Sequence, residues 1–290
     1  MRMPGTRWMR QRFRAARARR RPHVAILGYH RVSESTWDPF DLAITPSRLG
    51  AHLAFLAAHA RPISLEQAAR ELSAGRVEPR TVVVTFDDGY QDTLTEALPL
   101  LRTHRIPATV FACTGNAGDP FWWDEVAVSI GSDRRRLAEL TDRLRPLPAA
   151  DREREMRAFR TPGTAADLPR ALLPDELTIL GADPLIEIGG HTVSHPVLTA
   201  LSPGERAREI GENRAALVSL TKQRVRSFSY PNGALDDATK AAVRDAGYDV
   251  ACSSDPDAAL PDSNPLALPR LWADGKRALR FESWITRWLA

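Results

Sequence analysis

Two short stretches of this chain carry residues whose types and spacing suit hydrolytic chemistry. The first is Thr85-Phe86-Asp87-Asp88-Gly89-Tyr90, where a β-branched run, Thr81-Val82-Val83-Val84, ends in two adjacent carboxylates and a glycine. Neighbouring acids at the end of a buried strand are costly unless a positive charge lies beside them. A divalent cation meets that need, and a turn at Gly89 can bring both acids to one rim, one to ligate and the other to handle protons. An Asp-Gly pair is equally the mark of a solvated turn, so the hexapeptide alone supports both readings. The second stretch is Gly189-Gly190-His191-Thr192-Val193-Ser194-His195. Histidines four apart share one face of a helical turn and can grip one ion. Most such pairs are incidental, but this one follows a strand, as the acid pair does. Two imidazoles and one carboxylate form a common catalytic metal set that leaves positions open for water. Zinc is the default ion, and cobalt, nickel and iron accept the same ligands.

The elements that must position these groups alternate along the chain. Strands are expected at 23–30, 81–86, 108–112, 185–188, 225–229, 248–252 and 266–271. Helices are expected at 46–59, with Ser47 as a candidate cap, and at 64–73, 91–104, 203–221, 235–246 and 279–288. Alternation of this kind makes an α/β fold with a parallel sheet, doubly wound or closed as a barrel. Polar residues collect just after the strands: His30, the acid pair, the histidine pair and the turn Tyr230-Pro231-Asn232-Gly233. In a β/α barrel all of those ends lie on one face. Residues 113–180 break the rhythm, being rich in Arg, Leu and Ala with no strand pattern, and read as a helical insertion on the barrel rim. Phe121-Trp122-Trp123 within it suits stacking on a sugar ring, or equally a packed hydrophobic anchor.

Composition narrows the class. A chain of 290 residues, 43% hydrophobic and 26% charged, is ordinary for a globular protein with one large α/β domain or two small ones. Cys113 and Cys252 belong to no thiol-rich pattern, which argues against a disulfide scaffold or a thiolate metal site. The formal charge of +4 is unevenly placed: residues 1–22 hold nine arginines and no acid, so residues 23–290 carry −5. The chain therefore divides into a basic arm over 1–22, expected to be disordered, and a domain over 23–290. The arm has no apolar core of a secretory signal, and no run of eighteen apolar residues occurs, so a cytoplasmic protein is expected. Arginines interleaved with Trp8, Met9 and Phe13 suit peripheral contact with an anionic membrane. No recognisable nucleic-acid module accompanies the arm, so no nucleic-acid partner is expected.

Thr85-Phe86-Asp87-Asp88-Gly89 followed by His191-Thr192-Val193-Ser194-His195 resembles the polysaccharide deacetylases, the NodB-homology or carbohydrate esterase 4 family. The resemblance covers residues 23–275 and implies a distorted (β/α) barrel, usually of seven strands. It implies removal of acetyl groups from N-acetylated sugars with one divalent metal. By position, Asp88, His191 and His195 would ligate the metal and Asp87 would be the general base toward the attacking water. Tyr230-Pro231-Asn232-Gly233 resembles the family's third motif, in which a backbone N–H, here that of Asn232, helps hold the tetrahedral oxyanion.

The chain departs from the family in three places, one of them Asn232, which stands where a tyrosine often sits. Many members pair the base with an arginine ahead of the third motif, and this chain has Ser229 there. Arg270, in Leu268-Pro269-Arg270, is the expected replacement, with Arg226 a weaker candidate. Many members also take a general acid from a C-terminal Leu-x-His motif, and no histidine follows His195. Gly28-Tyr29-His30-Arg31-Val32 resembles the N-terminal Tyr-His motif of a subgroup typified by poly-N-acetylglucosamine deacetylases. There the histidine protonates the leaving amine, a role that suits an imidazole. A structural hydrogen bond is the alternative for His30. The expected function is thus metal-dependent N-deacetylation of a sugar or polysaccharide, in surface-polysaccharide or glycolipid synthesis. The alternative is a catalytically impaired carbohydrate-binding relative with the same fold.

Overall fold

The computed structural model describes residues 21–35, 37–157, 168–274 and 280–289. Most of the basic arm lies outside the described residues. None of the helices among the described residues is long and apolar enough to cross a membrane.

One parallel sheet organises the chain. Its strands are β1 (Ala25–Tyr29), β4 (Arg61–Pro62), β5 (Thr81–Phe86), β6 (Ala108–Ala112), β7 (Ile186–Gly190), β8 (Ser227–Ser229), β9 (Val250–Cys252) and β10 (Leu271–Trp272). The order β10-β1-β5-β6-β7-β8-β9 runs around the sheet, with β4 beside the start of β5. Two further short strands, β2 (Arg31–Val32) and β3 (Ala43–Ile44), pair with each other. All residues of β1 and β5 are buried, as expected of strands covered on both faces. The sheet is curled, and residues 265–272 span the gap between its two ends. Leu268 bridges to Cys252 of β9, and Leu271 then pairs with Leu27 of β1. This is the distorted (β/α) barrel that the family resemblance implied, closed by an irregular segment where a regular strand over 266–271 was expected. The interruption has a use: it turns Arg270 inward.

Helices pack outside the sheet: α1 (Pro46–His59), α2 (Leu65–Ser73), α3 (Leu98–His104, entered through a π-helical turn, Thr93–Ala97), α7 (Pro174–Gly181), α8 (Pro203–Thr221), α9 (Asp237–Asp245) and α10 (Phe281–Ile285). Thr45, not Ser47, caps α1, because Pro46 has no N–H to be capped and starts the helix itself. Ser202 and Glu205 form a reciprocal capping box at the start of α8. Between β6 and α7 lie α4 (Trp122–Ile130), α5 (Arg134–Leu144) and α6 (Ala149–Met156), which share a small core of Val126, Leu137, Leu140, Leu144 and Met156.

Register decides where the polar residues emerge. Tyr29 lies beside Phe86, Phe86 beside Val110, Ala112 beside Gly190, and Ser229 beside Cys252. The residues that follow these strand ends therefore come out on one rim.

Candidate active site

The acid pair is split by its backbone. Asp87 continues the line of β5, its N–H donating to the Tyr29 carbonyl at 2.9 Å. Asp88 (φ 71°) and Gly89 (φ 80°) then enter the left-handed region and reverse the chain. A Cβ at Gly89 would sit 2.9 Å from the Cβ of Ala112, so the turn needs glycine for space as well as for conformation. The two carboxylates thus face different partners.

Asp87 faces the barrel interior and meets Arg270. The guanidinium grips it with two bonds, Nη1 to Oδ1 at 2.6 Å and Nη2 to Oδ2 at 2.7 Å. Ser229 donates to the same carboxylate at 3.0 Å and accepts from Arg270 at 2.8 Å. Arg270 is fully buried. It also donates to Thr85 Oγ1 at 3.1 Å and to the Ser253 carbonyl at 3.2 Å, and lies 4.6 Å from the centre of the Trp272 ring. Burial raises the Asp87 carboxyl, but the charge and hydrogen bonds of Arg270 outweigh it and hold the group well below the usual carboxylate range. The small side chain of Ser229 leaves room for an arginine that arrives from the barrel's closing segment. Arg226 is not in the site: it pairs with Asp249 and Glu66 at the surface, because its position precedes β8 at the far end of that strand.

Asp88 faces the two histidines. Its Oδ1 lies 3.3 Å from His191 Nε2 and 3.4 Å from His195 Nε2. The spacing of four does not act through a helical turn as expected. Residues 191–195 form an irregular turn with Thr192 at φ 70° and His195 at φ 54°, and the ring centres end 4.9 Å apart. His191 Nδ1 lies 2.7 Å from the Ser229 carbonyl, which can only accept, so Nδ1 carries the proton. Its Nε2 is the ring atom that faces Asp88. Burial pushes the His195 imidazole down to about 3, so that ring is neutral and offers a lone pair. Two imidazoles and a carboxylate, all buried and with ligand atoms within 4.8 Å of one another, fit a divalent cation on chemical grounds.

His30 approaches from β1. Its Nδ1 lies 2.6 Å from Asp274 Oδ2, and its ring stacks on Trp272 at 4.7 Å. Gly28 makes that stack possible, since a Cβ there would come within 2.7 Å of the Trp272 ring. Burial lowers the imidazole, but the charge and hydrogen bond of Asp274 raise it further, with help from Asp88 and Asp87, to about 9. His30 is therefore protonated at neutral pH. Asp274 was not singled out from sequence. The signal was available, because Arg270, Trp272 and Asp274 alternate along one side of an extended segment.

These groups share a cavity of about 290 Å³ lined by His30, Asp87, Asp88, His191, His195, Asn232, Tyr230 and Trp272, with Phe40, Trp122 and Trp123 among its walls. Asn232 sits at φ 58° in a short turn, Pro231–Gly233. Within the aromatic cluster the packed-anchor role is the one seen at Phe121 and Trp123. Phe121 and Trp123 are buried anchors, with Trp123 donating to Tyr90, which donates in turn to Asp124. Trp122 is half-buried and lines the cavity. A larger cavity of about 620 Å³ lies behind Arg31 and Asp124 and contains none of the candidate site residues.

A family model described as polysaccharide deacetylase matches residues 74–251. The chain belongs to that family, whose members use a divalent metal. Among curated proteins it is 23% identical over 250 residues to YxkH of Bacillus subtilis strain 168, a protein named for the same family, covering 86% of this chain and 70% of that one. It is 20% identical over 286 residues to the poly-beta-1,6-N-acetyl-D-glucosamine N-deacetylase of Staphylococcus aureus, covering 90% and 81%. Among solved structures, IcaB from Ammonifex degensii superposes with a TM-score of 0.67 at 20% identity, over 91% of this chain and 97% of that one. The Streptococcus pyogenes deacetylase PplD, solved with acetate, gives 0.62 at 18%, over 92% and 98%. At these identities the structures establish the barrel fold.

Proposed function

We propose that the protein is a metal-dependent hydrolase that removes the N-acetyl group from a saccharide. One arrangement carries the reading: a carboxylate clamped ionised by Arg270 and a protonated His30–Asp274 pair face the same cavity as the Asp88-His191-His195 set. A divalent ion held by that set, zinc by preference, would acidify a water molecule and polarise the acetyl carbonyl. Asp87 takes the proton of the attacking water. Arg270 keeps Asp87 ionised, the form in which a carboxylate can accept a proton. As the acetyl C–N bond breaks, His30 gives its proton to the departing nitrogen, leaving a free amine and acetate. Asp274 restores the charge balance of the imidazolium and fixes which nitrogen faces the cavity. The backbone N–H of Asn232 serves the developing oxyanion. Trp122 and Trp272 offer flat apolar faces for a sugar ring.

By likeness to the Staphylococcus aureus relative, the favoured substrate is a β-linked N-acetylglucosamine oligomer, in surface-polysaccharide or glycolipid synthesis. The basic arm suits peripheral contact with an anionic membrane during that work. The test is acetate release from N-acetylglucosamine oligomers, and from lipid- and nucleotide-linked N-acetylhexosamines, by zinc- or cobalt-loaded protein. Release that stops on chelation and returns with metal supports the reading. Bound metal with no release from any of them refutes it.

A further inference from the structure

His191 and His195 are aimed by different means. A metal-binding histidine is ordinarily oriented by a hydrogen bond from its other ring nitrogen. His191 has one, to the Ser229 carbonyl. His195 does not: its Nδ1 is buried without a hydrogen-bond partner. Something else must hold that ring, because a ligand free to turn loses affinity for its ion.

The backbone leading into His195 is held on every side. Glu209, on α8, accepts from the N–H groups of Val193 and Ser194 at 2.9 Å each and from the Ser194 hydroxyl at 2.6 Å. Arg152, on α6, donates from Nη2 to the Ser194 carbonyl at 2.8 Å. The N–H of His195 donates to Thr192 Oγ1 at 3.0 Å. Both polar groups of the peptide between residues 194 and 195 are therefore fixed. The chain then enters His195 at φ 54°, a value that a residue other than glycine keeps only when its surroundings over-determine it. Arg152 is itself 5% exposed and packs over the Trp122 ring at 5.2 Å.

We propose that Arg152 and Glu209 are positioning residues, Glu209 holding the Val193 and Ser194 N–H groups and Arg152 the Ser194 carbonyl, and that together they fix the turn that aims His195 at the metal position. The helices between β6 and α7 thereby take part in metal binding through one guanidinium. The proposal rests on the metal-dependent reading above.

The test uses the full chain and the metal alone. Zinc affinity is measured by competition with a chromogenic chelator, and ligand geometry by the visible absorption of the cobalt form. Circular dichroism confirms that each variant is folded. Glu209→Gln keeps the shape but removes the charge, leaving one neutral amide oxygen for the two backbone N–H groups and reversing the bond to the Ser194 hydroxyl. Arg152→Met keeps the stem and removes the donor. Each should bind zinc about 10-fold more weakly than the unaltered chain and shift the cobalt band. Arg152→Lys, which can still donate to Ser194, should recover part of the loss. Glu212→Gln, on the exposed side of α8, should change neither reading. Folded Glu209→Gln and Arg152→Met proteins with unaltered zinc affinity and cobalt band would overturn the proposal. If Glu209→Gln does not fold, Arg152→Met against Arg152→Lys decides it alone. Failure of the unaltered chain to bind zinc would instead overturn the metal-dependent reading, and this proposal with it.

Discussion

Replacing Asp274 by asparagine tests the acid half of the site with little change of volume. In the intact protein two opposing effects act on His30: burial lowers its pKa, while the charge and 2.6 Å hydrogen bond of Asp274 raise it, for a net value of about 9. Asparagine keeps an acceptor oxygen and removes the charge. Burial then acts with only the weaker help of Asp88 and Asp87, and the pKa returns to the ordinary 6.5 or below. At about pH 8 a group with a pKa near 9 is roughly nine-tenths protonated, and one near 6.5 is about 3% protonated, a roughly 30-fold loss of the acid form. The assay is kcat/KM for acetate release from an N-acetylglucosamine oligomer, followed across pH with zinc-loaded enzyme. The unaltered protein should lose activity on the alkaline side well above neutrality, and the variant about two units lower or more. The two profiles should converge at low pH, where both imidazoles are protonated. A uniform drop in rate with the alkaline limb unmoved would refute the assignment, leaving Asp274 a structural partner and His30 no proton donor.

The same pair makes stability depend on pH. The folded pKa of His30 lies above the unfolded 6.5, so its stabilisation is complete below 6.5 and is lost as pH rises through about 9. The unfolding temperature should therefore fall between neutrality and about pH 10 in the unaltered protein, and by less in Asp274→Asn. Arg270→Met leaves the buried Asp87 carboxylate without its cation, which should cost about 3–5 kcal/mol in denaturant unfolding. Arg270 is what depresses Asp87, so the acid limb of activity in that variant should move to higher pH. Arg270→Lys should recover only part of either effect, since the two-pronged grip is lost. Asp87→Asn should lower kcat by about 10²–10⁴-fold and retain the metal, whereas Asp88→Asn should lose metal affinity first. Metal content measured beside the rate separates these two outcomes, and equal metal loss in both would show that the two acids have not been given different work.

The parallel sheet was legible because its signals are local. Uniformly apolar β-branched runs such as Val82-Val83-Val84 suit strands covered on both faces, and their alternation with amphipathic helices permits a doubly wound sheet or a barrel, between which the two motifs' likeness to a known family decided. Arg270 shows where local reasoning runs out. Its charge was expected to replace the arginine missing at Ser229, but a regular last strand was expected to deliver it. In the structure the strand is broken there, and the irregular segment turns the guanidinium into the barrel, where Ser229 has left it space. The histidine spacing taught the same lesson in reverse. His191 and His195 do meet, yet through two left-handed residues, Thr192 and His195, in a turn that donates to Glu209 and Asn213 and accepts from Arg152, on helices outside the motif. Asp274 belongs between these cases. Nothing about a lone aspartate near the end of a chain signals a catalytic partner. Once Arg270 is taken to point inward, however, the two-residue period of extended chain carries Trp272 and Asp274 to the same side, under His30. What sequence patterns convey well is which residues share a face. What they convey poorly is a conformation that is unfavourable in isolation and stable only because distant groups converge on it, and in this protein those conformations are the ones that bring His191 and His195 to Asp88.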